Sequence, residues 1–419
     1  MLDRRSFLFS AAVLACFRPA GAVALADASR LLTQNGRYLP LLRQMQTEAP
    51  SNPAMQDLLA QVLAMTGDEQ AAWGGFATRG LTAPDLSGCT AQDALEAIMA
   101  AAKGRQIVIL NEAHHVSRCR VFAERLMEEL RFEGFTIFAA ETFTNTERVW
   151  PNGAMQALNS GAPITAELGW YLADPVFAEM VRAARRLGYR FASYEVRPDQ
   201  MQGAGSSSEQ QIEVREDAEA NNFIAHILEA DPKARIFVYC GYDHVLKAEV
   251  YNHQLWFAAR LKAKTGIDPL CLGQAWTVPP PVGLSEDDSL AAILDQFRPE
   301  KPIILKNSDG EPVRLSTAKT ALDFEVIHPR LNEVQGRPGW LASAPGRKEA
   351  HFKLTDIPAE KALLQAVPVE EAANPAAIPS DQYPAPLNAR EAVFFLKPSR
   401  YELRLENEEE RQVLGTLSI

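Results

Sequence analysis

Several things are scarce in this chain. Cysteine numbers 5 in 419 residues, and no two are spaced Cys-x-x-Cys. Neither a thiolate zinc cluster nor a thioredoxin-type redox pair is therefore signalled. Histidine numbers only 7. Positive charge is in deficit, with 42 Lys and Arg against 53 Asp and Glu, a net charge of -11 and a pI near 5.3. This balance argues against nucleic acid or an anionic membrane as the main partner. A local basic pocket for an anionic small ligand remains compatible with it. Beyond the N-terminal leader no segment is long and apolar enough to span a bilayer, and no internal repeat is visible. Gly-x-Ser-x-Gly is missing, which leaves a serine nucleophile in the usual hydrolase setting unsupported. His-Glu-x-x-His is missing too, so no zinc-protease spacing is present.

What is present is the composition of a soluble globular protein: 47% hydrophobic and 23% charged residues, enough for a large core or a core with a smaller domain. Residues 1–26 read as an export signal. An Arg4-Arg5 pair precedes an apolar run that closes on Ala24-Leu25-Ala26, the order of a charged region, a hydrophobic region and a small-residue cleavage site. Arg-Arg-Ser-Phe-Leu is similar to a twin-arginine signal, and the expected location is periplasmic or secreted. Val13-Leu14-Ala15-Cys16 is similar to a lipoprotein cleavage box, but the apolar residues after Cys16 make a poor polar tether, so export without a lipid anchor is preferred. Twin-arginine export carries folded proteins, so no disulfide framework is needed. Cys119, Cys240 and Cys271 sit in core-like surroundings.

Three regions follow the signal. Residues 27–104 look helical, with "NPAMQDLLAQVLAMTG" apolar at helical spacing and closed by glycine. Residues 105–283 alternate apolar strands with helices. The strands are "QIVILNE", "TIFAAET", "RFASYEV", "ARIFVYCGYDH" and "DPLCLGQAW"; helices are expected over 117–132, 174–189, 215–231 and 250–266. This is the signature of βαβ units around a buried parallel sheet. After "PPPVG" proline becomes frequent, and 284–419 reads as a β-leaning C-terminal region. Within it "PVEEAANPAAIPSDQYPAPLNA" reads as an extended surface loop. The expected fold class is α/β: a mostly parallel sheet with flanking helices, plus a β-leaning C-terminal region.

Ligands bind such sheets outside the carboxyl ends of the strands. Those ends carry Glu112 with His114 and His115, then Glu141, then Glu195, then Asp243 and His244. Ser117 is placed to cap the helix after the first strand, and Arg118 and Arg120 lie in or near its first turn, where cations oppose the helix dipole. Either a bound anion or carboxylate neighbours such as Glu112 and Glu124 would account for them. Arg215, followed by Glu216 and Asp217, is expected to open the helix after the third strand. A histidine can act as general base on water, a carboxylate can orient it, and arginine can stabilise a tetrahedral oxyanion. That is the equipment of a hydrolase that activates water directly. Arg118, Arg120, Glu195 and Asp243 would then contact substrate. Cys119 is a poor nucleophile because it shares an apolar face with Phe122 and Leu126. The same set, Glu112, His114 or His115, Glu141 and His244, also offers the oxygen and nitrogen ligands of divalent zinc or manganese. A buried polar network holding the strand ends is the simplest alternative.

"ILNEAHH", "FAAETF", "RRLGYRFASYE", "REDAEANNF" and "RIFVYCGYDHV" occur in an order that resembles the erythromycin esterase and ChaN-like superfamily over about residues 100–275. The resemblance implies Glu112 and His115 as the acid and base pair, with Glu141, Arg215 and His244 completing the pocket; the shorter spacing would make His114 the functional ring. It implies an esterase-like hydrolase without a required cofactor, or, since the superfamily includes haem- or iron-binding and metal-dependent members, a periplasmic haem- or metal-binding protein. The partner in either case is a small molecule. One departure is clear. The family's glycine before the first glutamate is Asn111 here, which implies a differently shaped pocket.

Overall fold

A computed structural model describes residues 19–52, 55–74, 81–82, 85–250, 253–316, 319–355 and 361–419. The twin-arginine pair and Cys16 of the expected signal lie outside the described residues. Helix α1 (Pro19–Asn35) runs across the expected signal boundary at residue 26 and buries Leu25 and Ala28. Helices α2 (Leu39–Glu48), α3 (Gln56–Met65) and α4 (Glu69–Gly74) continue the N-terminal region. Helix α3 ends ahead of Gly67, whose φ of 77° suits the left-handed turn that the glycine signalled.

A short strand β1 (Thr90–Asp93) and helix α5 (Ala94–Ala102) lead into the α/β core. Its elements are β2 (Ile107–Glu112), α6 (Arg118–Phe132), β3 (Phe135–Ala140), α7 (Gly153–Ser160), α8 (Pro175–Arg186) and β4 (Arg190–Ala192). They continue with α9 (Ser208–Phe223), β5 (Arg235–Gly241), α10 (Phe257–Thr265) and β6 (Leu270–Gly273). Then come α11 (Asp288–Phe297), β7 (Ile303–Lys306) and β8 (Phe324–Glu325). The strands form a six-stranded sheet in the order β4-β3-β5-β2-β6-β8, every pairing parallel. Alternation of side chains decides the packing. Val108, Leu110, Phe138 and Tyr239 pack with Phe122, Leu126, Phe177 and Val181 of α6 and α8. Ile107, Ile109, Val238 and Cys240 pack with Ala220, Phe223, Phe257 and Leu261 of α9 and α10. Helices thus cover both faces, and β2 in the middle is buried at all its positions.

Some expectations need correction. Helix α9 starts seven residues before Arg215, because Ser207 and Gln210 form a capping box: Gln210 N–H donates to Ser207 Oγ at 3.2 Å and Ser207 N–H to Gln210 Oε1 at 3.4 Å. Helix α10 is short; Val250 and Gln254 pair across a turn in which His253 adopts φ of 65°, so the helix begins only after Trp256. The core does not stop at 283. Strand β8 extends the parallel sheet beside β6, and β7 pairs antiparallel with β1.

Beyond α12 (Gly339–Ala342), strands β9 (Lys348–Lys353), β10 (Leu363–Pro368), β11 (Asp381–Pro384), β12 (Glu391–Leu396), β13 (Arg400–Glu406) and β14 (Arg411–Ser418) confirm the β-leaning region. They form an antiparallel sheet, β11-β10-β13-β14, and a β9–β12 pair. The segment read as a surface loop is instead buried along its middle, over 376–383. Ala377, Ile378, Ser380, Asp381 and Gln382 are inside, and Ile378 N–H bonds Ile164 O at 2.9 Å. Its small and apolar side chains pack where its prolines suggested exposure.

Candidate active site

The carboxyl ends of the parallel strands deliver their polar residues to one rim. Glu112 closes β2, Glu141 follows β3, Glu195 follows β4, and His244 sits on the 3-10 turn Tyr242–Val245 after β5. His114 is the hub. Its Nδ1 lies 3.0 Å from Glu112 Oε1 and its Nε2 lies 4.0 Å from Glu141 Oε1. Its ring stacks on Tyr171 at 3.9 Å and meets Tyr242 edge-on at 4.9 Å. Gly241 lets the ring lie against the backbone, since a Cβ there would run into His114 and crowd Glu141.

Two arginines bracket this centre. Arg120 Nε and Nη2 grip Glu112 at 2.7 and 2.8 Å, and its Nη1 lies 2.7 Å from Asp174 Oδ2. Asp174 also accepts from Ser117 Oγ at 2.5 Å and caps α8 through Val176 and Phe177 N–H. On the other side Arg215 Nη2 reaches Glu141 and Glu195, both at 2.9 Å, and its Nε lies 2.8 Å from Glu219 Oε1. His244 Nδ1 lies 2.9 Å from Glu216 Oε2 and 3.3 Å from Glu219 Oε2, and its Nε2 lies 3.5 Å from Glu141 Oε1. One unbroken polar chain therefore runs from Asp174 to Glu216.

Burial sharpens these interactions. It opposes ionisation of Glu112, yet Arg120 and His114 outweigh it and hold the carboxyl below its usual range. Burial is likewise overcome at Glu141, where His244, His114, Arg215 and the Gly241 N–H, 2.5 Å away, keep the carboxylate ionised. At His244 burial is overcome by Glu216, Glu141 and Glu219, which raise the imidazole well above its ordinary value and favour imidazolium. Glu195 goes the other way: burial, with Glu219 and Glu141 nearby, pushes it up to about 8 despite Arg215.

The expected residues divide on this geometry. Glu112, His114, Arg120, Glu141, Glu195, Arg215 and His244 converge. His115 does not join them. Its ring turns toward Trp73 at 5.8 Å, and burial with His114 and Arg120 nearby drives it down to about 3. Arg118 leaves the rim, donating to Pro329 O at 2.5 Å. Asp243 lines a separate pocket with Asn111 and Gln274. Ser117 has a helical φ of -57° and makes no side-chain cap; its hydroxyl serves Asp174 instead. Arg120 opposes the dipole of α6 because carboxylates, not a bound anion, satisfy it. Cys119 is buried and its thiol is pushed up to about 12, which agrees with its poor standing as a nucleophile. Asn111 is a staple. Its Nδ2 donates to Tyr242 O at 2.7 Å, and its Oδ1 accepts from Gln274 N–H at 2.7 Å, tying the ends of β2, β5 and β6.

Asp174, Tyr171 and Glu219 were not foreseen. Asp174-Pro175 carried a helix-start signal, and Glu219 lies one turn beyond Arg215, but Tyr171 had no local signal. A small cavity of about 30 Å³ is lined by Ser117 and Asp174 from the polar chain and by His115, Glu69, Arg337, Trp340 and Asp381. A groove of about 260 Å³ shares Glu69, Arg337 and Trp340 with it.

No family model matches the chain, and no curated protein is similar to it in sequence. Two solved structures described as bacterial protein toxins are similar at a TM-score of 0.34, with 14% and 13% identity, covering 58% and 59% of this chain and 63% and 57% of theirs. RRSP, a MARTX toxin effector domain from Vibrio vulnificus CMCP6, is similar at a TM-score of 0.29 and 14% identity, over 52% of this chain and 50% of that one. The chain thus spans less than two thirds of the length of each. At this distance no residue role passes from them to this chain.

Proposed function

We propose that the chain is an exported hydrolase that activates water with an imidazole and acts on an ester-like small substrate. One observation carries this reading: His114 is held between Glu112 and Glu141, with Arg215 and His244 on the far side of Glu141. A carboxylate at Nδ1 places the proton there, which leaves the Nε2 lone pair facing Glu141. A water at Nε2 can lose its proton to His114 while Glu112 steadies the resulting imidazolium. Arg215, whose Nη1 lies 3.2 Å from His244 Nε2, supplies positive charge to the oxyanion that forms, with His244 beside it. Arg120 anchors Glu112 with two bonds and so fixes the ring plane of His114. Glu195 accepts from Arg215 Nε at 3.2 Å and Nη2 at 2.9 Å and so fixes the guanidinium at the rim. The leader with Arg4 and Arg5 supports export.

The base is therefore His114, not His115. A panel of aryl, alkyl and lactone esters tests the assignment. Turnover of the best substrate should fall roughly 10²- to 10⁴-fold in His114→Ala and less than about tenfold in His115→Ala. Undiminished turnover in the His114 variant would end this reading.

A further inference from the structure

Glu216 and Glu219 stand one turn apart on α9, and both are fully buried, as is His244. Like charges at this spacing repel, more so away from water. Their one shared donor cannot satisfy both: a single Nδ1–H of His244 faces Glu216 Oε2 at 2.9 Å and Glu219 Oε2 at 3.3 Å. Among the described residues, Glu216 Oε1 and Glu219 Oε2 receive no hydrogen bond, although each is buried. Buried carboxylate oxygens in that condition point to a missing cation.

We propose that Glu216, Glu219 and His244 bind one divalent first-row ion of the manganese-to-zinc series. One ligand atom from each residue fits within 4.8 Å of the others. Ligands around an ion at about 2.0–2.2 Å are themselves roughly 2.9–3.5 Å apart, and the two Nδ1–oxygen separations already match. Two carboxylates with one imidazole form a hard-to-borderline donor set suited to this series. The surroundings behave as a support for such ligands. Phe257 N–H donates to Glu216 Oε2 at 2.8 Å, and Arg215 Nε holds Glu219 Oε1 at 2.8 Å. The ion takes the place of the Nδ1 proton, so positive charge next to Glu141 persists in another form. The proposal does not rest on the hydrolase reading, because it is measured without substrate.

The test uses the full chain, stripped with EDTA and titrated with MnCl2 by electron paramagnetic resonance and calorimetry. One ion per chain is expected, with the thermal midpoint raised by Mn2+ and restored by chelator. Glu216→Gln and Glu219→Gln should each weaken binding by at least about tenfold. Crystals soaked in MnCl2 supply an arm independent of variant folding: an anomalous peak among these three side chains is expected. No stoichiometric binding, a peak elsewhere, or wild-type affinity in both folded variants would overturn the site.

Discussion

A methyl group at Gly241 would enter the space of the His114 ring. Gly241→Ala should therefore cost about 1–3 kcal/mol of stability, read from urea denaturation, and should reduce the proposed ester hydrolysis as the ring is displaced. Arg120 presents the opposite case, a buried cation whose partners depend on it. Arg120→Met leaves Glu112 and Asp174 buried without their cation, and a loss of roughly 3–5 kcal/mol is expected in the same measurement; a loss under about 1 kcal/mol would show that the pairs do not hold the rim. Residue by residue, the sequence was informative where topology alone decides position. Glu112, Glu141 and His244 follow apolar strands directly, so the strand direction placed them. The choice between His114 and His115 was not legible, because adjacent side chains in a turn diverge by angles that only the packing of Tyr171, Tyr242 and Trp73 determines. Glu219 was hidden for a different reason: a charged residue at helical spacing usually reads as a solvated face.

Among the elements, α9 serves both the rim and the ion site, since Arg215, Glu216 and Glu219 all project from it. Its start is set by the Ser207 capping box, and Ser207→Ala should cost about 1 kcal/mol. Amide exchange is expected to quicken in the first turn, near Gln210, while the third turn with Arg215 stays protected by its carboxylates. The strands of the core were legible from continuous apolar runs, and β2, β3, β5 and β6 fall where those runs lie. The beginning of α9 was not, because "SSSEQQIEV" has little apolar periodicity and its capping signal stands alone. Strands β10 and β11 were missed because prolines and alanines masked a segment that buries Gln365 and Gln382 against each other, 3.0 Å apart. Polar pairs inside a sheet leave no apolar alternation to read.

For the whole molecule, the C-terminal region is bound to the core through charge as well as apolar contact. Arg182 of α8 joins Glu179 at 3.0 Å and Glu371 at 2.8 Å, Ser380 Oγ donates to Glu179 at 2.7 Å, and Lys397 pairs with Glu124. Burial opposes ionisation of Glu179, but Arg182, Lys397 and Arg347 bring it down to about 2 from an ordinary 4.5. A carboxyl lowered on folding stabilises fully above its unfolded value, and that contribution fades as pH falls through its folded value. The thermal midpoint should accordingly decline between pH 4.5 and 2, with a shallower slope in Glu179→Gln. Equal slopes would remove Glu179 from the docking. The β character of this region was legible; its attachment was not, since pairs such as Glu179–Glu371 through Arg182 span nearly two hundred residues of chain. The same interleaving bears on synthesis. Strand β1 waits for β7, and the β6 margin of the core waits for β8. Most of the polypeptide must leave the ribosome before the sheet is complete, so a nascent chain halted near the proline run should be an open, aggregation-prone intermediate rather than a smaller finished domain.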